Sequence, residues 1–387
     1  MRSSLRPARG GRAALLLLTL LAWLSVAAGP PGGRSDFSRP ILWRSNHTRS
    51  ISLTLGQMQE MSAIAQGPAT RSRAGVLQDH QSGAVLWQWN ADQSLPMASV
   101  TKLMTALVAL ETLSPDDVVL IPQAAIDVPA GYVRMGLKAG QKVQVRTLLY
   151  GALLPSGNDA ALALAIAAAG DEQAFVERMN LRAREWGLTH THFANPHGID
   201  APGHYASARD LAQLANRALE NPLIAKIVAT PMMDIQGFHL VNTNQLLATY
   251  PGAYGVKTGT TDAAGQVLIG AARRPGQGDV LTVVMNSSDR YAETTGLMDF
   301  YFSHWIWVDV GLKRDVLNRV TGPDHVRYLL STPPVPLFLQ RWQIVELHPI
   351  RIVSFDVAGQ PSGVYQVWYG PQKLVELPIK FVRTNNE

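Results

Sequence analysis

Ser99 to Leu113 carries apolar residues around most of its girth: Leu103, Met104, Leu107, Val108 and Leu110 fall on several sides at the helical period. A helix of that kind is enclosed by other elements rather than laid on a surface, and this one also carries Lys102. Asn158 to Ala169, rich in alanine, must be interior as well, whereas Glu172–Trp186 and Ala208–Leu219 read as amphipathic helices. Strands bracket this helical middle. Val76 to Trp89 reads as a β-hairpin around Gln81-Ser82-Gly83, and Gly255–Thr260, Gln266–Arg273 and Val280–Asn286 read as three strands, followed by a helix over Tyr291–Trp305. Strands at both ends and helices between are best satisfied by one antiparallel sheet with helices packed on it, an α+β fold.

The flanks differ in character. Residues 1–72 hold 9 Arg and 2 acids, residues 73–312 carry a net −5, and residues 313–387 a net +3. Arg2, Arg6, Arg9 and Arg12 precede the apolar run Ala13–Val26, and Val26-Ala27-Ala28 supplies small residues for cleavage; residues 1–28 are therefore expected to be an export signal. The run falls short of the ~20 apolar residues that span a bilayer comfortably, and no later stretch reads as a transmembrane helix. Without the signal the formal charge falls from +5 to +1, so the overall basicity does not point to a nucleic-acid surface. Residues 29–72 read as a flexible lead with a short helix near Leu55–Ala65. Residues 313–387 read as a small all-β unit, with strands at Val335–Leu339, Trp342–Leu347, Ile350–Val357, Val364–Tyr369 and Leu374–Val382. The chain has no cysteine, which excludes disulfides, Cys-ligated zinc and thiol catalysis.

Ser99 and Lys102 stand at i and i+3 at a helix start, on one face. A serine hydroxyl becomes a nucleophile when a base takes its proton, and lysine serves as that base once burial and neighbouring cations lower its pKa. Ser156-Gly157-Asn158 lies in a turn before the buried alanine-rich helix, where a hydroxyl and a carboxamide can relay a proton and hold a substrate amide. Lys257-Thr258-Gly259-Thr260 lies on a strand. There Lys257 and Gly259 point one way and Thr258 the other, and the glycine admits a ligand to the backbone. Each motif alone also fits an ordinary role: a capping serine, a loop amide, an edge-strand lysine.

S-x-x-K, S-x-N and K-T-G occur once each and in this order, the signature of penicillin-binding proteins and class A β-lactamases. Residues 74–310 resemble the low-molecular-weight penicillin-binding proteins, the serine D-alanyl-D-alanine carboxypeptidases. Phe193–Asp200 and Gly203–Leu211 are similar to that family's stretch between the second and third motifs. The resemblance implies a penicillin-binding/serine β-lactamase-like catalytic domain over 73–312 and a second domain over 313–387. It implies that Lys102 activates Ser99, that Ser156 and Lys257 pass a proton to the leaving group, and that Asn158 positions the peptide. The N–H groups of Ser99 and Thr260 would hold the oxyanion, while Lys257, Thr258, Gly259, Thr260 and Arg209 bind substrate. The substrate would be a peptidoglycan stem peptide ending in D-Ala-D-Ala, in the periplasm or another extracytoplasmic cell-wall space. β-Lactams would be covalent inhibitors, and no metal or organic cofactor is implied. A membrane surface stays open as a partner, although Leu374–Arg383 alternates like a strand and contains Pro378, so no C-terminal anchoring helix is expected.

Two patterns argue for other chemistry. His190, His192, His197 and His204 crowd beside Asp200, but no H-E-x-x-H occurs and Pro196, Gly198, Pro202 and Gly203 break any single ligand-bearing helix. Glu185-Trp186-Gly187-Leu188 is faintly similar to the β-lactamase acidic loop, but Glu185 ends an amphipathic helix. A D,D-endopeptidase, a β-lactamase and a non-catalytic wall-binding protein are the alternative functions.

Overall fold

The N-terminal hairpin and the three later strands join in one sheet, as the α+β reading requires. The computed structural model describes residues 53–323 and 325–384. The expected signal, 1–28, and the first part of the expected lead, 29–52, lie outside the described residues.

Helix α1 (Leu55–Gln66) opens the described chain, its start fixed by a capping box between Thr54 and Gln57. Strands β1 (Ala74–Asp79) and β2 (Val85–Trp89) form the hairpin. One 3₁₀ turn, Ala98–Thr101, leads into α2 (Lys102–Ala109). A short hairpin of β3 (Val118–Leu120) and β4 (Lys142–Gln144) brackets α3 (Gln123–Ile126). Helices α4 (Val145–Leu153), α5 (Asn158–Ala169), α6 (Glu172–Glu185), α7 (Ala208–Glu220) and α8 (Pro222–Val228) fill the middle. A second hairpin, β5 (Met232–Ile235) with β6 (Phe238–Val241), and α9 (Leu246–Thr249) precede β7 (Ala253–Thr261), β8 (Gly265–Arg274), β9 (Gly278–Ser287) and α10 (Arg290–His304).

The sheet order is β2-β1-β9-β8-β7, every neighbouring pair antiparallel, with β7 at one edge. Successive side chains face opposite sides, and the sheet divides two cores accordingly. Val267, Ile269, Ala271, Leu281 and Val283 join the larger core with α2 and α4–α8. Leu268, Ala272, Val280 and Val284 join a smaller core built on Leu297, Met298, Tyr301 and Phe302 of α10. Gly270 keeps this second layer close, because a Cβ there would stand 2.7 Å from Thr294 and 2.8 Å from Met298.

The helix expected over 99–113 is shorter and begins differently. Its α-helical part ends at Ala109, after which Glu111 and Thr112 donate to carbonyls three residues back, at Val108 and Ala109. Its first turn is 3₁₀, in which residues i and i+3 eclipse. The helices α4 and α8 and the two small hairpins have no counterpart in the sequence reading.

Strand β10 (Trp305–Asp309) leaves α10 before the expected boundary at 313 and pairs with β13 (Pro336–Gln340); between them lie β11 (Arg319–Thr321) and β12 (Arg327–Ser331). The remaining strands are β14 (Leu347–Phe355), β15 (Pro361–Tyr369), β16 (Gln372–Pro378) and β17 (Lys380–Thr384), in sheets β11-β12-β17 and β14-β15-β16. A separate core of Leu312, Leu330, Tyr365, Val367, Val375 and Ile379 holds them. Two expected strands differ. Trp342–Leu347 lies mostly in a 3₁₀ helix, Arg341–Glu346, because Gln340 and Gln343 cap its start reciprocally and the Trp342 indole donates to Gln340 Oε1. Leu374–Val382 breaks at Pro378, which has no N–H for the ladder; Ile379 donates instead to the Gly363 carbonyl, and the chain crosses into the other sheet.

Candidate active site

Ser99 sits in the 3₁₀ turn and Lys102 directly after it, so eclipsing brings the two side chains together. Lys102 Nζ lies 2.8 Å from Ser99 Oγ, 2.8 Å from Asn158 Oδ1 and 2.5 Å from the His197 carbonyl oxygen. The lysine side chain is fully buried. Burial first, then the nearby Lys257, holds its pKa well below the ordinary lysine value, with Asp159 opposing. A neutral amine has two N–H donors and one lone pair. Asn158 Oδ1 and the His197 carbonyl can only accept, so they take both N–H groups. The third partner is the Ser99 hydroxyl, which can donate. In that neutral form the lone pair is left for the Ser99 proton, the arrangement a general base needs.

Asn158 opens α5 and is itself fixed, since its Nδ2 donates to the Val133 carbonyl at 3.0 Å. The neighbouring Asp159 carboxylate accepts from the N–H groups of Met135, Gly136 and Leu137, clamping the 133–137 loop over the site. Ser156 sits in the turn before α5 at φ +70°, in the left-handed region. Its Oγ is buried and has no hydrogen-bond partner among the described residues, which leaves it available to a ligand.

On the edge strand β7, Lys257 and Gly259 pair with Ile269 and Val267, two residues of the larger core, so both face the 3₁₀ turn. A Cβ on Gly259 would stand 2.9 Å from the Ala98 Cβ and 3.0 Å from the Ser99 nitrogen. Gly198, at φ +87°, approaches from another side, where a Cβ would stand 2.1 Å from the Ala98 carbonyl oxygen. Only glycine at these two positions lets the Ser99 segment lie against both neighbours. Lys257 is 1 % exposed, and burial, then the Arg290 charge, lowers its pKa to about 7. Thr258 Oγ1 meets Thr243 Oγ1 at 2.6 Å, and Thr243 N donates to the Leu154 carbonyl, tying the strand to the Ser156 loop.

The structure does not bring Arg209 to this cluster. Its guanidinium pairs with Asp92 and binds Gln88 of β2, at the edge of the sheet opposite β7. The cation beside β7 is Arg290, at the start of α10. Its Nη1 donates to the Gly259 carbonyl at 3.0 Å and to Thr260 Oγ1 at 2.8 Å. Tyr291 next to it donates to the Thr243 carbonyl. Arg290 and Thr260 thus form a polar edge suited to a carboxylate.

The histidines serve the scaffold. The Ala194 N–H donates to His204 Nδ1 at 3.0 Å, so the ring proton is on Nε2, which donates to Thr101 Oγ1 at 2.8 Å; Thr101 in turn donates to the Ala98 carbonyl at 2.7 Å. This relay holds Ala98 at φ +51°, the residue before Ser99. Burial lowers the pKa of His204 to about 4 and that of His197 to about 3, keeping both neutral near pH 7. His192 bonds the Gly203 carbonyl, and His190 bonds Asp210 through its backbone. Among the described residues no group of three or more His, Cys, Asp or Glu is placed to hold a metal ion. Glu185 ends α6 in an ion pair with Arg182.

Sequence reasoning missed Asp159, Thr243, Arg290 and the His204–Thr101 pair. Asp159 directly follows S-x-N, and Thr101 lies inside S-x-x-K; Thr243, Arg290 and His204 lie outside the motifs and reach the site only in the fold.

Comparison with known proteins gives one consistent result. The peptidase S11 family model, described as D-alanyl-D-alanine carboxypeptidase, matches residues 61–289. D-alanyl-D-alanine carboxypeptidase DacF of Bacillus subtilis is 36% identical over 248 residues, covering 61% of this chain and 64% of that protein. DacB2 of Mycobacterium tuberculosis is 37% identical over 227 residues, covering 57% and 76%. This chain thus spans less than two thirds of the length of DacF. The crystal structure of the Streptomyces K15 DD-transpeptidase superposes at a TM-score of 0.58, with 34% identity over 61% of this chain and 98% of that one. The D-alanyl-D-alanine carboxypeptidase DacD of Francisella tularensis gives 0.62, with 26% identity over 83% and 95%.

Proposed function

The chain belongs to the D-alanyl-D-alanine carboxypeptidase family, and from that premise we propose that it is a serine D-Ala-D-Ala carboxypeptidase that trims peptidoglycan stem peptides through an acyl-enzyme. The observation that carries the reading is the Lys102 environment: a buried amine against Ser99 Oγ and two carbonyl oxygens, which in the neutral amine take both N–H groups and leave the lone pair to Ser99.

In this reading Lys102 takes the Ser99 proton as Oγ attacks the carbonyl of the penultimate D-Ala. The Ser99 and Thr260 N–H groups hold the oxyanion. As the C–N bond breaks, a proton reaches the departing D-Ala nitrogen through Ser156, whose unpartnered Oγ supports that role, with Lys257 behind it. Lys257, Thr258, Thr260 and Arg290 engage the terminal carboxylate, Arg290 replacing Arg209. Gly259 keeps the strand close to the substrate backbone. Asn158 acts first on Lys102, because both ends of its amide are already committed. Water then hydrolyses the ester, and no step uses a metal or organic cofactor. Residues 73–312 form the catalytic domain and 313–387 a β-rich second domain. The enzyme works in the periplasm or another extracytoplasmic cell-wall space, and β-lactams acylate Ser99. No helix among the described residues is long and apolar enough to cross a membrane.

The test is acylation by labelled penicillin with mapping of the adduct, followed by release of D-Ala from a pentapeptide ending in D-Ala-D-Ala. An adduct at Ser99 with D-Ala release is expected. Absence of the adduct overturns the proposal; an adduct with cleavage of cross-linked dimers and no D-Ala release assigns an endopeptidase instead.

A further inference from the structure

Val316 and Leu317 are two adjacent aliphatic residues at 70 % and 82 % exposure, on the loop that enters β11. The loop is braced from within. Asp315 accepts the Leu317 N–H, Asn318 donates through Nδ2 to the Lys313 carbonyl, and the Asn318 carbonyl accepts from Leu330 of β12. These bonds present the pair outward. The pair stands outside the core of this region and makes a small apolar tip.

Its surroundings are cationic. Lys313, Arg314 and Arg319 lie within the same few residues, all exposed, against the single acid Asp315. The register of the adjoining sheet extends the charge. Arg319 pairs with Leu329, Thr321 with Arg327, Leu329 with Val382 and Ser331 with Lys380. Cross-strand partners share a face, so Arg319, Arg327 and Lys380 stand on one face of the β11-β12-β17 sheet, and all three are exposed. Among the described strand residues no acid occupies that face. The opposite face carries Tyr328 and Leu330, which are buried.

We propose that this face of the C-terminal β region, with Val316–Leu317 as its tip, docks onto an anionic lipid bilayer. Exposed cations beside lipid headgroups supply the attraction, and the two aliphatic side chains enter the headgroup–acyl boundary. The apolar tip selects a bilayer over a soluble polyanion, which would gain nothing from Val316 and Leu317. The proposal is independent of the catalytic reading.

Because the chain has no cysteine, a single Val316→Cys substitution can be labelled with an environment-sensitive fluorophore. Val118, 60 % exposed on β3 of the catalytic region, serves as the control through Val118→Cys. On addition of phosphatidylglycerol vesicles the label at 316 should brighten and shift to the blue, while the label at 118 should not change. Phosphatidylcholine vesicles or high salt should suppress the effect. Arg319→Glu, Arg327→Glu and Lys380→Glu combined with Val316→Cys should weaken it at least about 100-fold in vesicle concentration. Unchanged acylation by penicillin would show that this variant is folded. No shift at 316 with anionic vesicles, an equal shift at 118, or a shift that survives charge reversal each overturns the proposal.

Discussion

The amide oxygen of Asn158 accepts a hydrogen bond from Lys102 at 2.8 Å, while the amide nitrogen is spent on the Val133 carbonyl. The amide thus holds the buried amine without adding charge. Asn158→Asp would keep an acceptor there but place a carboxylate beside Lys102, favouring the ammonium and removing the lone pair. We expect acylation to fall at neutral pH and recover at higher pH, the acid limb of the rate profile moving up by a unit or more. Penicillin acylation rates across pH check this; a uniform loss with no shift would show that Asn158 acts only sterically.

Stability carries the mark of Lys257. Its pKa is about 7 in the folded protein against 10.5 ordinarily. Between those values the unfolded chain binds one more proton than the folded chain, so stability rises with pH through that window and is flat on either side of it. The slope is at most about 1.4 kcal/mol per pH unit. Lys102, also lowered, acts in the same direction. Denaturant unfolding of the wild type and of Lys257→Met should show the wild type gaining on the variant as pH rises above 7. Equal slopes would mean that Lys257 is not buried in the neutral form.

The two arginines separate cleanly. Arg290→Gln removes a charged donor from the Thr260 edge and should raise KM for substrates ending in a carboxylate by roughly 10-fold or more, with a smaller change in kcat. Arg209→Gln breaks the exposed pair with Asp92, for which less than about 1 kcal/mol of stability is expected, and should leave KM unchanged. Steady-state kinetics on a D-Ala-D-Ala peptide decides between them, and a KM effect at Arg209 would contradict the geometry.

His204 positions the nucleophile through Thr101, and its two ring nitrogens can be tested apart. His204→Gln can keep the donor to Thr101; His204→Asn can keep the acceptor for Ala194. If the relay to Ala98 is what matters, acylation should fall roughly tenfold with Asn and stay near wild type with Gln. Losses in both with equal drops in thermal stability would reduce His204 to a packing residue.

Much of the fold was legible because hydrophobic periodicity depends only on neighbours in the chain. The alanine-rich helix from Asn158 to Ala169 and the strands through Lys257, Leu268 and Val283 were readable for that reason. The failures have physical causes of their own. Trp342–Leu347 looked like a strand until glutamine capping made it 3₁₀, and the apolar run after Leu374 concealed a crossing between sheets at Pro378. Among the site residues, the motif members could be named because each motif fixes its own local geometry.

The sequence by itself determined which side chains could do chemistry: Ser99 and Lys102 at one helical turn, Ser156 and Asn158 at a turn, Lys257 and Thr258 on a strand. It also determined that the Lys102 helix had to be enclosed, and hence that burial would lower this lysine's pKa. Only the tertiary structure decided which cation stands beside β7, because Arg290 and Arg209 are equivalent as residues and differ only in the sheet edge they reach. It alone decided what fills the other two positions around Lys102, since Asn158 and the His197 carbonyl come from segments 56 and 95 residues away. A hydrogen bond depends on distance and direction in space, and for partners that far apart in the chain the packing of the whole domain sets both.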